Sequence, residues 1–179
     1  MSSGDAVLPG EIGAAWLPSS EFPHMPARYH AMGRLYKVPP ILLVVHSGAR
    51  AAGVAEYIAR PDLERKVSAH FSWSKTHQGF AQQVGLDRQA WHAGGSKWRG
   101  KGGVNALSVG VELPGPWDME RGPGQRQEWD RLMMWLVQAC PSLEFWARHS
   151  DIKRGKLDPG DGFKNGWMAG TGLTWRGAG

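Results

Sequence analysis

Ile41 to Val45 reads ILLVV, an apolar run with no polar position inside it. A strand with one wet face alternates apolar and polar residues, whereas an unbroken run is the pattern of a strand buried on both faces. Such a strand must be covered on each side, which excludes a sheet with one face open to water. The run ends at His46-Ser47-Gly48, where strand gives way to loop. Val67 to Ser74 (VSAHFSWS), Phe80 to Val84 after a turn near Gly79, and Leu107 to Leu113 (LSVGVEL, ended by Pro114-Gly115) are also strand-like. Gly53 to Arg60, stopped by Pro61, reads as a short helix. The clearest helix is Gln127 to Cys140, with Trp129, Leu132, Met133, Leu136 and Cys140 on one face and Pro141 at its end. The glycine-rich stretch 91–105 (WHAGGSKWRGKGGVN) must be loop. Residues 1–35, rich in Pro, Gly and Ser, form an irregular arm wrapping one domain over 36–179. Strands interleaved with helices predict an α/β (α+β) fold, a single mixed central β-sheet flanked by helices. In such folds chemistry collects where strands hand over to loops, and His46 and Glu112 both sit at such ends.

The balance of 21 basic and 16 acidic side chains, a net charge of +5, favours an anionic partner: nucleic acid, a membrane surface or an anionic wall polymer. The basic residues are scattered rather than clustered, which argues against a nucleic-acid arm. A single cysteine, Cys140, rules out an intrachain disulfide, and its place on the helix's apolar face makes it a core residue. The run VPPILLVV (38–45) is far short of the roughly 20 residues that span a bilayer, so stable membrane insertion is not expected. The start, MSSGDAVLPGEIGAAWLP, lacks the basic head and apolar stretch of a signal peptide, which predicts synthesis in the cytoplasm. Among ten tryptophans, Trp73, Trp91, Trp98 and Trp167 lie in glycine-rich or polar surroundings where a flat ring can stack on a ligand. The tail after Trp167 carries Trp175 and Arg176, which can dock on the domain.

The segment RHSDIKRGKLDPG (148–160) has no apolar periodicity and reads as a loop bent by Gly155 and Pro159, carrying His149, Lys156 and Asp158. A catalytic zinc takes three protein ligands and leaves a fourth position for water. His46, His149 and Asp158 meet that need. Taken alone, these residues are read equally well as buried histidines satisfied by backbone hydrogen bonds, because a strand end and a distant loop have no fixed ligand spacing. His70 reads as a core histidine, and His24, His30 and His77 have no supporting context. Asn105 either caps a turn or hydrogen-bonds a ligand.

Five phrases in order sharpen the choice: VVHSGA (44–49), VSAHF (67–71), AWHAGGSKW (90–98), SVGVELPG (108–115) and HSDIKRGKLDPG (149–160). Over residues 41–168 the chain resembles the zinc-dependent N-acetylmuramoyl-L-alanine amidases of the type-2 amidase and peptidoglycan recognition protein family. The resemblance implies Zn2+ held by His46, His149 and Asp158, with Lys156 stabilising the oxyanion and Glu112 as the acid/base residue. It implies that Trp91 and His92 line the substrate cleft and that Asn105 can reach the stem peptide. The tyrosine that some members carry before the second-strand histidine is replaced here by Ala69, which leaves its role to Glu112. The implied partner is peptidoglycan, glycan strand and stem peptide together, met by a monomer whose positive charge suits an anionic envelope. The implied reaction is hydrolysis of the amide between N-acetylmuramic acid and L-alanine. The charge and the segment GVAEYIARP (53–61) favour a phage-type endolysin acting on the wall. The alternatives are a cytoplasmic recycling amidase acting on anhydro-muropeptides and a non-catalytic peptidoglycan-binding module. The last is disfavoured because all three candidate ligands are kept.

Overall fold

The computed structural model, which describes residues 21–27, 34–48, 53–115 and 124–177, contains six strands and three α-helices among those residues. The strands are β1 (Leu42–Ser47), β2 (Phe71–Ser74), β3 (Gly79–Gln82), β4 (Ser108–Leu113), β5 (Phe145–Arg148) and β6 (Thr174–Trp175). The helices are α1 (Val54–Ala59), α2 (Gln125–Ala139) and α3 (His149–Ile152). One sheet holds all the strands in the order β3-β2-β4-β1-β5-β6. Every neighbouring pair is parallel except the β2–β3 hairpin, so the sheet is mixed, as expected.

β1 is the middle of the fold for the reason its sequence suggests. Leu42, Leu43, Val44 and Val45 are all fully buried. Leu43 and Val45 join the main core with Phe71, Val109, Val111 and the inner face of α2. Leu42 and Val44 point the other way, into a cluster with Trp98, Val104, Ala147 and Ile152. A long helix thus covers one face of the sheet, and the glycine-rich segment around 91–106 covers the other.

α2 follows its predicted pattern, burying Trp129, Leu132, Met133 and Leu136, and Cys140 beyond its end is fully buried. Its outer face carries an Arg126–Asp130 pair at 2.8 Å and a Glu128–Arg131 pair at 3.3 Å, surface contacts worth about 0.3–0.5 kcal/mol each. Within the predicted arm, Phe22 packs edge-on against Phe71 and Trp135, and the Met25 and Ala27 N–H groups donate to the Gln82 and Gln83 carbonyls. This segment covers the open edge of β3, where unpaired backbone would otherwise invite another chain. The rest of the arm, residues 1–20 and 28–33 with His30, lies outside the described residues.

Three expectations change. The strand predicted over 67–74 begins only at Phe71, because the Ser68 N–H is taken by the Trp91 carbonyl of the covering loop. β5 and β6 are too short to show a period of two in sequence, yet β5 pairs with β1 and the tail adds β6 through Thr174 N–H to Glu144 and Arg176 N–H to Trp146. Trp73, Trp98 and Trp167 are buried packing groups rather than ligand-stacking rings, set against Phe80, Phe145 and Phe163 respectively. Glycine-rich segments have little bulk of their own, so their tryptophans fill the space over the sheet. Of those four tryptophans only Trp91 is exposed. Among the described residues no helix is long and apolar enough to cross a membrane.

Glu56 in α1 ties that helix to the β2–β3 turn. Its carboxylate accepts from Ser74 Oγ at 2.6 Å, the Thr76 N–H at 3.0 Å and the Lys75 N–H at 3.3 Å. Partial burial alone would raise its pKa, but these hydrogen bonds outweigh burial and hold it near 2, below the ordinary 4.5. A depressed carboxylate adds stability above its unfolded pKa and loses it as pH falls through the folded value. Glu56→Ala is expected to lower unfolding free energy by about 1–3 kcal/mol at neutral pH. It is also expected to flatten the acid side of the stability curve between 4.5 and about 2, measurable by denaturant titration.

Candidate metal centre and active site

β4, β1 and β5 are adjacent parallel strands, and their carboxyl ends form one ledge. In parallel register, His46 pairs with Glu112, and Val45 pairs with Arg148, the residue before His149. His46 shares a face with Leu42 and Val44, so the same period of two that buries those side chains delivers its imidazole to this ledge. His149 opens α3 directly after β5, and its ring centroid lies 4.4 Å from that of His46.

The loop after α3 brings the third group. Gly155 adopts a φ of 81°, a left-handed conformation that glycine takes without strain, and the chain turns back so that the Ser150 N–H donates to the Asp158 carbonyl at 2.9 Å. The Lys97 N–H to the Ile152 carbonyl (2.8 Å) and Lys153 Nζ to the Gly94 carbonyl bind this loop to the 91–106 segment. Asp158 Oδ2 then sits 2.9 Å from His149 Nδ1 and 3.4 Å from His46 Nδ1. The expected reading of 148–160 as loop is modified only by the single turn of α3, whose start is held by the Arg148 N–H donating to Asp151 Oδ2 at 2.9 Å.

Ligand atoms of His46, His149 and Asp158 all lie within 4.8 Å of one another. Two imidazoles and a carboxylate suit zinc, and His149 Nε2 is a buried nitrogen with no hydrogen-bond partner. Burial pushes His46 down to about 4 despite the hydrogen bond to Asp158, so it is neutral at physiological pH. Burial alone would raise Asp158, but the hydrogen bonds to His149 and His46 outweigh it and hold the carboxyl well below its usual range. Metal ligands must be deprotonated, and these two groups already are.

Glu112 is the opposite case. Burial, reinforced by the nearby Asp158 carboxylate, pushes it up to about 8 against the lowering influence of Lys156 and Arg65. Two carboxyls on one ledge therefore differ in role: one stays ionised and the other holds a proton near neutral pH. Lys156 is close enough for its charge to act on both Glu112 and His46. Ala69 is fully buried and supplies no acid or base.

The remaining predicted contacts divide. Trp91 is 36% exposed on the covering loop. Asn105 Oδ1 accepts the Ala93 N–H at 2.8 Å and so braces that loop. His92 takes a different setting from the substrate-facing one expected of it: it is 7% exposed, and its ring nitrogens face His46 Nε2 and Ser108 inside the protein. His70, expected in the core, is fully buried and accepts the Gly110 N–H at Nδ1. Periodicity offered no sign of the buried polar set of Tyr36, His70, His92 and Ser108, because its members come from four separated segments.

Comparison with known proteins identifies the family. The family model described as N-acetylmuramoyl-L-alanine amidase (Amidase_2) matches residues 36–161. A curated relative, the 1,6-anhydro-N-acetylmuramyl-L-alanine amidase AmpD of Escherichia coli (strain K12), is 32% identical over 100 residues, covering 55% of this chain and 54% of its own. The AmpD of Citrobacter freundii is 31% identical over the same length, with 55% and 53% covered. The chain spans about half the length of the curated relatives it matches. A crystal structure of an AmpD derivative shares the fold with a TM-score of 0.65 at 24% identity, over 89% of this chain and 97% of that one. The E. coli amidase AmiD, in complex with its substrate anhydro-N-acetylmuramic acid-L-Ala-D-gamma-Glu-L-Lys, matches with a TM-score of 0.59 at 25% identity, over 79% and 61%.

Proposed function

We propose that this chain, which belongs to the N-acetylmuramoyl-L-alanine amidase family, hydrolyses the amide joining N-acetylmuramic acid to L-alanine, with soluble anhydro-muropeptides as its substrate class. The observation that carries the reading is the meeting of His46, His149 and Asp158 at the ends of adjacent parallel strands, with Glu112 paired beside His46. The catalytic domain is assigned to 36–179, with 1–35 as an accessory arm; a family match that begins at residue 36 supports this division.

His46, His149 and Asp158 hold the metal in this reading. Zinc bound there supplies Lewis acidity toward the amide carbonyl and a water of lowered pKa. Glu112 takes a proton from the attacking water at its carboxylate oxygen and returns it to the leaving nitrogen of L-alanine. Its raised pKa suits the second half of that task, since the protonated form persists near neutral pH. Lys156 places its ammonium where negative charge grows on the carbonyl oxygen. Trp91 offers an exposed ring against which a sugar or peptide face can lie.

The endolysin setting favoured by charge gives way to the recycling type, because the curated relatives are anhydro-muramyl amidases. The test is a pair of assays: release of free amine from soluble anhydro-muropeptide, and clearing of a sacculus suspension. Cleavage of the soluble substrate with little clearing is expected, in both cases lost on chelation and restored by zinc. Rapid clearing without soluble cleavage would return the endolysin reading, and activity untouched by exhaustive chelation would remove the metal from it. Lys156→Ala is expected to lower kcat by roughly 10²–10³ with little change in zinc content, the scale of losing one oxyanion-stabilising group. Steady-state kinetics with parallel metal analysis would check this.

A further inference from the structure

We infer that His92 is a positioning residue that fixes the tautomer of His46, so that His46 presents Nδ1 to the divalent ion. The inference rests on the metal-site reading above and adds a group that does not itself touch the ion.

The proton positions follow from the partners. Ser108 Oγ has one hydrogen, and it is spent on the Val104 carbonyl at 2.6 Å. What Ser108 offers His92 Nε2 is therefore acceptors only: its hydroxyl oxygen at 3.3 Å and its carbonyl oxygen at 3.5 Å. Nε2 of His92 must carry hydrogen. A neutral imidazole has only one N–H, and His92 is buried with no carboxylate among these partners, so its Nδ1 is a bare acceptor. That nitrogen faces His46 Nε2 at 2.9 Å, which must then be the donor. When a divalent ion takes the place of the proton that Nδ1 otherwise shares with Asp158 Oδ2 at 3.4 Å, the lone pair of His46 is on Nδ1 and meets the ion. Ligating histidines generally have their second nitrogen fixed in this way, through a hydrogen bond to a group behind them.

The sheet is shaped to allow the arrangement. A Cβ added at Gly110 would lie 2.4 Å from His92 Cγ and 2.6 Å from its Nδ1, so only glycine leaves room for the ring to lie against β4 behind His46. Asn105 holds the loop in place through the Ala93 N–H.

The test begins with the parent protein. Long-range 15N–1H correlation spectra of the zinc-loaded protein at neutral pH should show His46 protonated at Nε2 and metallated at Nδ1; the reverse assignment would overturn the inference without any variant. Zinc affinity is then measured by competition with a chromophoric chelator. His92→Phe keeps the bulk but removes the acceptor, and a loss of about 10–100-fold is expected. His92→Asn keeps an acceptor oxygen near the Nδ1 position and is expected to recover most of that loss. Equal affinity in parent and His92→Phe, or equal weakening in both variants, would overturn the positioning role while leaving the metal site standing. A parent that binds no zinc would overturn the site reading, and the inference with it.

Discussion

Asp158→Ala is expected to abolish zinc binding and amide hydrolysis together. Loss of a partner behind a ligand lowers affinity or activity by about 10–100-fold, and loss of a ligand itself should exceed that range. Asp158 is the one negative charge among the three candidate ligands, and its Oδ2 faces both δ-nitrogens at 2.9 and 3.4 Å. Without it, two neutral imidazoles must hold a divalent cation with no charge compensation. The effect can be separated from simple unfolding by thermal shift. A ligand that binds only the folded state stabilises it by RT ln(1 + [L]/Kd), about 2.7 kcal/mol at a hundredfold excess over Kd. The parent should show this zinc-dependent rise in Tm and the variant should not, while both unfold cooperatively without metal. A variant that kept both the rise and free-amine release would exclude catalysis at this centre.

Glu112→Gln should separate chemistry from metal binding. A positioned general acid/base contributes typically 10²–10⁴-fold, so kcat is expected to fall by roughly that factor while zinc content is unchanged. Two pH signatures follow from the carboxyl being raised to about 8. Acting as a base requires the ionised form, so activity falls on the acid side of the Glu112 pKa. Zinc offsets the Asp158 charge that helps raise it, which places that limb below 8 in the loaded enzyme; the limb should vanish in the variant. Stability runs the other way. Between the ordinary 4.5 and about 8 the folded metal-free protein binds more protons at Glu112 than the unfolded chain, so this group makes stability fall as pH rises through that window. Glutamine cannot ionise, and the metal-free variant should therefore be more stable than the parent above pH 8, by an amount on the order of a few kcal/mol. A less stable variant at that pH would show that Glu112 is not held in the desolvated setting described.

Glu56, Glu112 and Asp158 illustrate how one functional group, the carboxyl, takes three roles in this fold. Glu56 is ionised by hydrogen bonds that lock a helix to a hairpin, Asp158 by two imidazoles, and Glu112 is kept partly protonated by burial next to another carboxylate. None of the three environments is visible from the neighbouring residues in the chain.

By itself the sequence determined the elements with strong local signals and the identity of the chemical groups. ILLVV specified a central strand because only a doubly covered strand tolerates no polar alternation, and the apolar stripe of 127–140 specified the helix that covers one face. The ordered phrases pointed to His46, His149, Asp158, Glu112 and Lys156 as the chemical groups. Tertiary structure alone decided which rings meet and how they are protonated. β5 and β6 exist because a partner strand pairs with them, and three tryptophans in glycine-rich or polar segments turned inward because the sheet needed covering. His92 was assigned to the substrate in sequence and lies behind His46 in space, since the cleft loop folds over a gap left by Gly110 two strands away from where it starts. Local pattern carries periodicity and residue type, whereas burial, register and hydrogen-bond direction arise only when distant segments are packed together.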